Sequence, residues 1–157
     1  MTKRIKLDKT DKQILKILQT KGRITNAQLA IDVGLSPAPT LERVKKLEKL
    51  GIIESYHASL NYAAIGLGVS TFVKVTLNSH NKEAINRFAE QMHEVEEVVE
   101  CHHTTGTADF MLKVVARDIP AYQELMLESI TEILDISEIE SMVVLSTLKD
   151  SKAVPIP

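Results

Sequence analysis

Apolar residues recur at helical spacing in three stretches within the first fifty positions. Residues that favour helix starts precede each stretch, and glycine ends the first two, at Gly22 and Gly34. In the third stretch, after Ser36, the apolar residues fall on one face and leave a basic surface elsewhere. We therefore predict three short helices, with apolar faces that include Ile14, Leu15, Ile17, Leu18, Leu29, Val33, Leu41, Val44 and Leu47.

The second and third predicted helices are joined by Gly34, Leu35 and Ser36. A short turn containing glycine between two helices is typical of the helix-turn-helix, whose second helix enters the DNA major groove by its N-terminal end. Thr40 and Arg43 would then face bases, whereas Lys46 would contact phosphate. The candidate DNA-binding residues are Asn26, Ser36, Ala38, Thr40, Arg43 and Lys46. A plain helical hairpin with a solvated charged face is the alternative.

A β-branched and aromatic run, Gly51–Ala58, follows the third helix directly. Such a run is typical of a strand, and here it predicts a wing or a strand that leads out of the module.

The remaining chain alternates between strand and helix patterns. Strands are predicted over residues 69–78, 95–103, 108–116 and 136–148, and helices over 82–93 and from Asp118 to about Leu134. The order β-α-β-β-α-β is that of ferredoxin-like domains, which place both helices on one face of an antiparallel sheet. The fold class is therefore α+β, with an N-terminal winged helix-turn-helix over residues 1–60 and a ferredoxin-like domain over residues 61–157.

The face of this sheet without helices also carries large apolar side chains, among them Phe72, Met111, Val115, Met142 and Val144. A soluble monomer rarely exposes so large an apolar patch, and pairing with a second copy would cover it. The sequence therefore predicts a homodimer, which also suits a protein that reads two DNA half-sites.

Charge is divided unevenly along the chain. Residues 1–50 hold 12 Lys and Arg against 5 Asp and Glu, whereas the rest holds 7 against 16. A basic first part and an acidic second part favour double-stranded DNA as the partner of the first alone, although chance segregation is an alternative. Cys101 is the single cysteine, and no apolar stretch reaches membrane-spanning length, so we expect a cytoplasmic protein without membrane attachment.

The sequence gives little indication of a catalytic site or a metal site. The run from Glu100 to His103 contains ligand-type residues, but neighbouring residues of a strand point to opposite faces and would not converge on a metal. No nucleotide-binding or hydrolase motif is present. We expect no catalytic residues, no metal and no cofactor.

The turn from Thr104 to Asp109 is a candidate ligand site. A glycine turn exposes backbone N–H groups that can hold a carboxylate, and Asp109 offers a negative charge for an ammonium group. Together these groups suit a free amino acid, while an ordinary hairpin turn is the alternative.

Several motifs in order resemble the Lrp/AsnC family of transcription regulators. They are Leu7–Leu15, Gly34–Glu48, Gly51–Ile53, Glu100–Cys101, Gly106–Phe110 and Met142–Leu145. The resemblance implies a DNA-binding domain, an effector domain, dimers that assemble into octamers, and an amino-acid effector held between dimers. By motif position it implies effector contacts for Thr105, Gly106, Thr107 and Asp109, with Ile119, Met142 and Val144 nearby, and the turn adds Thr104.

The sequence thus predicts a sequence-specific DNA-binding transcription regulator whose assembly or DNA affinity responds to an amino acid. An architectural DNA-binding protein that needs no effector is one alternative. A small ferredoxin-like enzyme of amino-acid metabolism is another.

Overall fold

The computed structural model describes residues 5–131, 133 and 135–157, and these form two compact units. The first unit extends to residue 59 and also includes residues 149–157, and the second covers residues 60–148. The sequence predicts a boundary at residue 60 and assigns the C-terminal residues to the second domain. In the structure the last nine residues instead group with the first unit by their contacts.

The first unit contains the three helices that the hydrophobic pattern predicts: α1 (Lys9–Thr20), α2 (Asn26–Val33) and α3 (Pro37–Lys49). Asp8 caps α1 in a reciprocal capping box with Asp11. Gly34 ends α2 with a φ of 71°, a left-handed conformation that glycine adopts without steric cost. The helices enclose a small core built on Ile14, Leu15, Leu29 and Leu47.

The segment that follows α3 differs from the prediction of a wing or linking strand. Residues 51–59 are all described, and none of them belongs to a strand. A β-strand needs a partner that takes up its backbone hydrogen bonds, and the described part of this chain offers none here. Ile52 and Ile53 instead turn back onto the core of the first unit.

The second unit has the predicted order β-α-β-β-α-β. Its elements are β1 (Val69–Leu77), α4 (Lys82–His93), β2 (Val98–His103), β3 (Phe110–Ala116), α5 (Ile119–Leu125) and β4 (Ile136–Val143). The strands form an antiparallel sheet in the order β2-β3-β1-β4. This arrangement confirms the predicted ferredoxin-like fold.

The second long helix and the last strand are shorter than predicted. After α5 the chain continues as one π-helical stretch, Met126–Ile130, in which the Thr131 N–H donates to the Met126 carbonyl at 2.9 Å. The wider turn keeps Tyr122, Met126 and Ile130, which are four residues apart, in the core. The predicted helix end at Leu134 lies outside the described residues, and β4 ends five residues before Leu148.

One face of the sheet packs against the helices and the other stays open. Val73, Val75, Leu112 and Val114 are fully buried beneath α4 and α5. On the open face Phe72 is 38% exposed and Met142 is 36% exposed. Phe72 and Met142 are register partners on neighbouring strands, so they form one apolar patch. Among the described residues, no helix is long and apolar enough to cross a membrane.

Candidate functional site

The orientation of α3 decides which of its side chains can reach DNA. Leu47 and Thr40 are buried, and the Thr40 hydroxyl donates to the Ser36 carbonyl at 2.9 Å. The prediction that Thr40 faces bases is therefore wrong, because a helix side chain that packs inward cannot also enter a groove. Thr40 and Leu47 are seven residues apart, which places both on the same face of α3.

Arg43 also has a role other than the predicted one. Its Nη1 lies 2.6 Å from Asp8 Oδ2 and 2.6 Å from Asp11 Oδ1, so the guanidinium ties α3 to the start of α1. A backbone hydrogen bond from Asp11, followed by the Arg43 guanidinium, lowers the pKa of the Asp8 carboxyl. Asp11 is almost completely buried. In this arrangement the guanidinium connects α3 to α1, and 33% of the side chain remains exposed.

Asn26 and Ser36 lie at the turn between α2 and α3. The Asn26 side-chain amide donates from Nδ2 to the Pro37 carbonyl at 2.8 Å, which fixes the start of α3. Its Oδ1 is buried and has no partner among the residues described. Ser36 is the N-cap of α3, but its exposed hydroxyl makes no capping bond and can contact a phosphate.

The exposed face of α3 is a stripe that runs opposite Thr40 and Leu47. It consists of Ala38, Glu42, Lys45 and Lys49, which are three or four residues apart, with Lys46 beside them. The sequence analysis included Ala38 and Lys46 but missed the others. Helical spacing alone could have identified them, since each lies on the side away from the predicted apolar face.

In the second unit, the loop from Thr104 to Asp109 joins β2 to β3. Thr104 closes its base, because its N–H donates to the Asp109 carbonyl at 2.8 Å and its hydroxyl to the Ala108 carbonyl at 3.0 Å. Gly106 has a φ of 131°, a backbone conformation that residues other than glycine rarely adopt. The backbone N–H groups of residues 105–108 donate to no acceptor in the described part of the chain.

The Asp109 carboxylate makes hydrogen bonds within its own chain. Its Oδ2 accepts from the Leu77 N–H at 2.8 Å, and its Oδ1 lies 2.8 Å from Nδ1 of His80. Both carboxylate oxygens thus have partners, and the side chain is mostly buried. The sequence predicts an ammonium partner here, whereas the geometry shows a carboxylate that anchors the loop to the end of β1. The sequence analysis missed His80, which comes from a distant position in the chain.

A depression of about 130 Å³ lies beside this loop, on the open side of the sheet. Its lining residues are Lys74, Thr76, Thr107, Ala108, Glu138 and Glu140. Lys74 pairs with Glu140 at 2.9 Å, whereas the Glu138 carboxylate has no partner among the described residues. Glu138 and Lys74 were not predicted, although their register on β4 and β1 would place them on one face of the sheet.

The remaining predicted effector residues lie elsewhere in the second unit. Ile119 begins α5 and is exposed, and Met142 belongs to the open apolar patch. Val144 is half-buried, and its N–H donates to the Ser70 carbonyl at 2.8 Å. None of these three lines the depression beside the glycine loop.

Comparison with known proteins identifies both units. A family model described as winged helix-turn-helix DNA-binding matches residues 7–54, and one described as Lrp/AsnC ligand binding domain matches residues 70–154. Together these models match most of the chain, so the chain belongs to the Lrp/AsnC family of transcriptional regulators.

Individual relatives agree with the family models over nearly the whole length. The transcriptional regulator AzlB of Bacillus subtilis is 36% identical over 152 residues, which is 97% of each chain. The leucine-responsive regulatory protein of Escherichia coli K12 is 37% identical over 145 residues, 92% of this chain and 88% of that protein.

A solved structure of the Neisseria meningitidis regulator NMB0573 in complex with L-Met superposes with a TM-score of 0.91. It is 35% identical and covers 96% of this chain and 97% of its own. The protein is thus a DNA-binding transcriptional regulator with a ligand-binding domain, and it is not an enzyme.

Proposed function

We propose that this regulator changes its DNA affinity or its assembly when a free amino acid binds beside the Thr104–Asp109 loop. The observation that carries the proposal is the set of unpartnered backbone N–H groups at residues 105–108, of which Thr107 and Ala108 line a depression with both charge signs. A relative of similar structure forms a complex with L-Met, which supports a small amino acid as the ligand class.

The groups around the depression match the two charged ends of an amino acid. Backbone N–H groups of Gly106 and Thr107, with the Lys74 ammonium, suit the α-carboxylate. The Glu138 carboxylate, which has no partner in the described chain, suits the α-ammonium. Asp109 and His80 act indirectly in this scheme, since they hold the loop in place.

On the DNA side, the exposed stripe of α3 enters the major groove by its N-terminal half. Ala38 can approach a thymine methyl group and Glu42 can accept from a cytosine amino group. Lys45, Lys46 and Lys49 supply the charge that contacts phosphates. Asn26 and Arg43 fix the position of the helix and do not touch bases.

A homodimer through the open sheet face joins two such reading helices, as a site with two half-sites requires. The exposed Phe72 and Met142 supply the apolar contact. Assembly of dimers into an octamer places the ligand loops between dimers, so ligand and assembly would be coupled.

A thermal-shift screen with the twenty amino acids tests the ligand proposal, and calorimetry then measures the affinity of any ligand found. We expect Glu138→Gln to weaken binding about tenfold or more, since a hydrogen bond to a charged group contributes about 1.5–3 kcal/mol. Glu124→Gln, on an exposed position of α5, is the matched control and should bind like the wild type.

Two results would contradict the proposal. Undiminished binding by Glu138→Gln would remove Glu138 from the site. Absence of any shift across the twenty amino acids would favour the architectural DNA-binding protein that needs no effector.

A further inference from the structure

The last nine residues of the chain pack on the first unit, although they follow the final strand of the second. The chain therefore passes between the units twice, at residues 59–60 and again at residues 148–149. Two kinds of contact fix the C-terminal segment on the first unit.

The first contact is a pair of hydrogen bonds between Gln19 and the main chain of Val154. Gln19 Nε2 donates to the Val154 carbonyl at 3.2 Å, and its Oε1 accepts from the Val154 N–H at 2.7 Å. The side-chain amide thus pairs with a peptide group as a neighbouring strand would. Both bonds go to the backbone, so they fix the position of the segment whatever side chain stands at 154.

The second contact is apolar. Ile156 packs against the buried cluster of the first unit. The segment forms one wall of a pocket whose other walls include Leu7, Leu15, Leu18, Ile52 and Ile53. Val154, by contrast, keeps 65% of its surface exposed. One side chain of the segment therefore supplies most of the apolar contact.

The sequence of the segment suits it to docking. Pro155 and Pro157 have a fixed φ, and each restricts the residue before it to extended conformations. Val154 and Ile156 are thus biased towards extended conformations, and the two prolines reduce the freedom of the segment further. A preorganised segment loses little conformational entropy when it binds, and its attachment to the same chain raises its effective concentration at the groove.

We propose that the groove between α1 and residues 52–53 is a docking site for the chain's own Val154–Pro157 segment. The docked segment completes the core of the DNA-binding unit. The proposal does not depend on the amino-acid ligand.

Hydrogen exchange measured on the full chain tests it. Ile156→Asp should remove the apolar anchor and speed exchange of the α1 amides by about fivefold or more, because Ile156 is partly buried and full burial of an isoleucine is worth about 1.5–3 kcal/mol. Val154→Asp is the matched control, since it places the same charge two residues away at an exposed position. Exchange in β1 and β3 should be unchanged in both variants.

A peptide spanning residues 150–157 provides the second measurement. Added to the full-length Ile156→Asp chain, it should restore slow exchange in α1, whereas a peptide that also carries Ile156→Asp should not. Wild-type exchange should not depend on protein concentration. If protection rises with concentration, the groove receives the segment of a second copy, and the proposal of docking within one chain is wrong. Equal exchange in the wild type and Ile156→Asp would also overturn it.

Discussion

Arg43 lies between two carboxylates, and those contacts determine what the residue does. Its guanidinium bonds at 2.6 Å to both Asp8 and Asp11, so it joins α3 to the N-terminal turn of α1. The bond from Arg43 is the second cause, after the backbone bond from Asp11, of the lowered pKa of Asp8. The structure thus shows a packing contact for a residue that the sequence predicts to read bases.

We expect Arg43→Ala to destabilise the first unit by about 1–3 kcal/mol, because the buried Asp11 carboxylate loses a charged partner. Exchange of the α1 amides would then be about five- to a hundredfold faster. Arg23→Ala, at an exposed position, is the control and should leave exchange unchanged. If Arg43→Ala leaves amide exchange in α1 unaltered but changes the base preference, Arg43 contacts bases and does not stabilise the unit.

At the scale of the element, one face of α3 packs on the core and the opposite face is exposed. Thr40 and Leu47 pack inward, and the stripe from Ala38 to Lys49 points away from the core. The N-terminal half of the stripe carries the candidate base contacts, and the C-terminal half carries Lys45, Lys46 and Lys49. We therefore expect substitutions in the two halves of the stripe to affect base preference and overall DNA affinity separately.

Lys45→Ala should weaken binding to all DNA sequences to a similar degree and reduce the slope of log affinity against log salt by about 0.9. The reason is that one fewer phosphate is neutralised and fewer counterions are released. Lys82→Ala, on α4 of the second unit, is the matched control. Titrations of labelled duplex DNA at several salt concentrations measure both slopes. Equal slopes for the wild type and Lys45→Ala would place that side chain away from the backbone of DNA.

At the scale of the molecule, the open sheet face is the surface through which we propose that two copies pair. Phe72 and Met142 meet there as register partners. Val115, which was predicted to lie on the same face, is buried and adds little to the patch. The apolar patch therefore centres on β1 and β4.

Met142→Lys should shift the protein to smaller species in analytical ultracentrifugation. An ammonium group buried without a partner in an apolar interface costs several kcal/mol. Leu127→Lys is the control, because Leu127 is 67% exposed on the helix side of the unit. If both variants sediment like the wild type, a surface other than this face holds the subunits together.

The order of the elements could be read from the sequence because it depends on local patterns. Apolar residues at helical spacing, the caps at Asp8 and Thr25, and the left-handed Gly34 each act within a few residues. Strand alternation in β1 likewise separated the buried Val73 from the exposed Phe72. The order of the motifs along the chain also indicated the Lrp/AsnC family.

Tertiary structure decided the roles that depend on residues far apart in the chain. Arg43 meets Asp8 and Asp11 across more than thirty positions, and His80 meets Asp109 across 29. Gln19 and Val154 are 135 positions apart. A local pattern shows which side chains are charged and which face they occupy. Only the folded chain brings the partners together, and the partner decides whether a charge anchors the fold or remains available to a ligand.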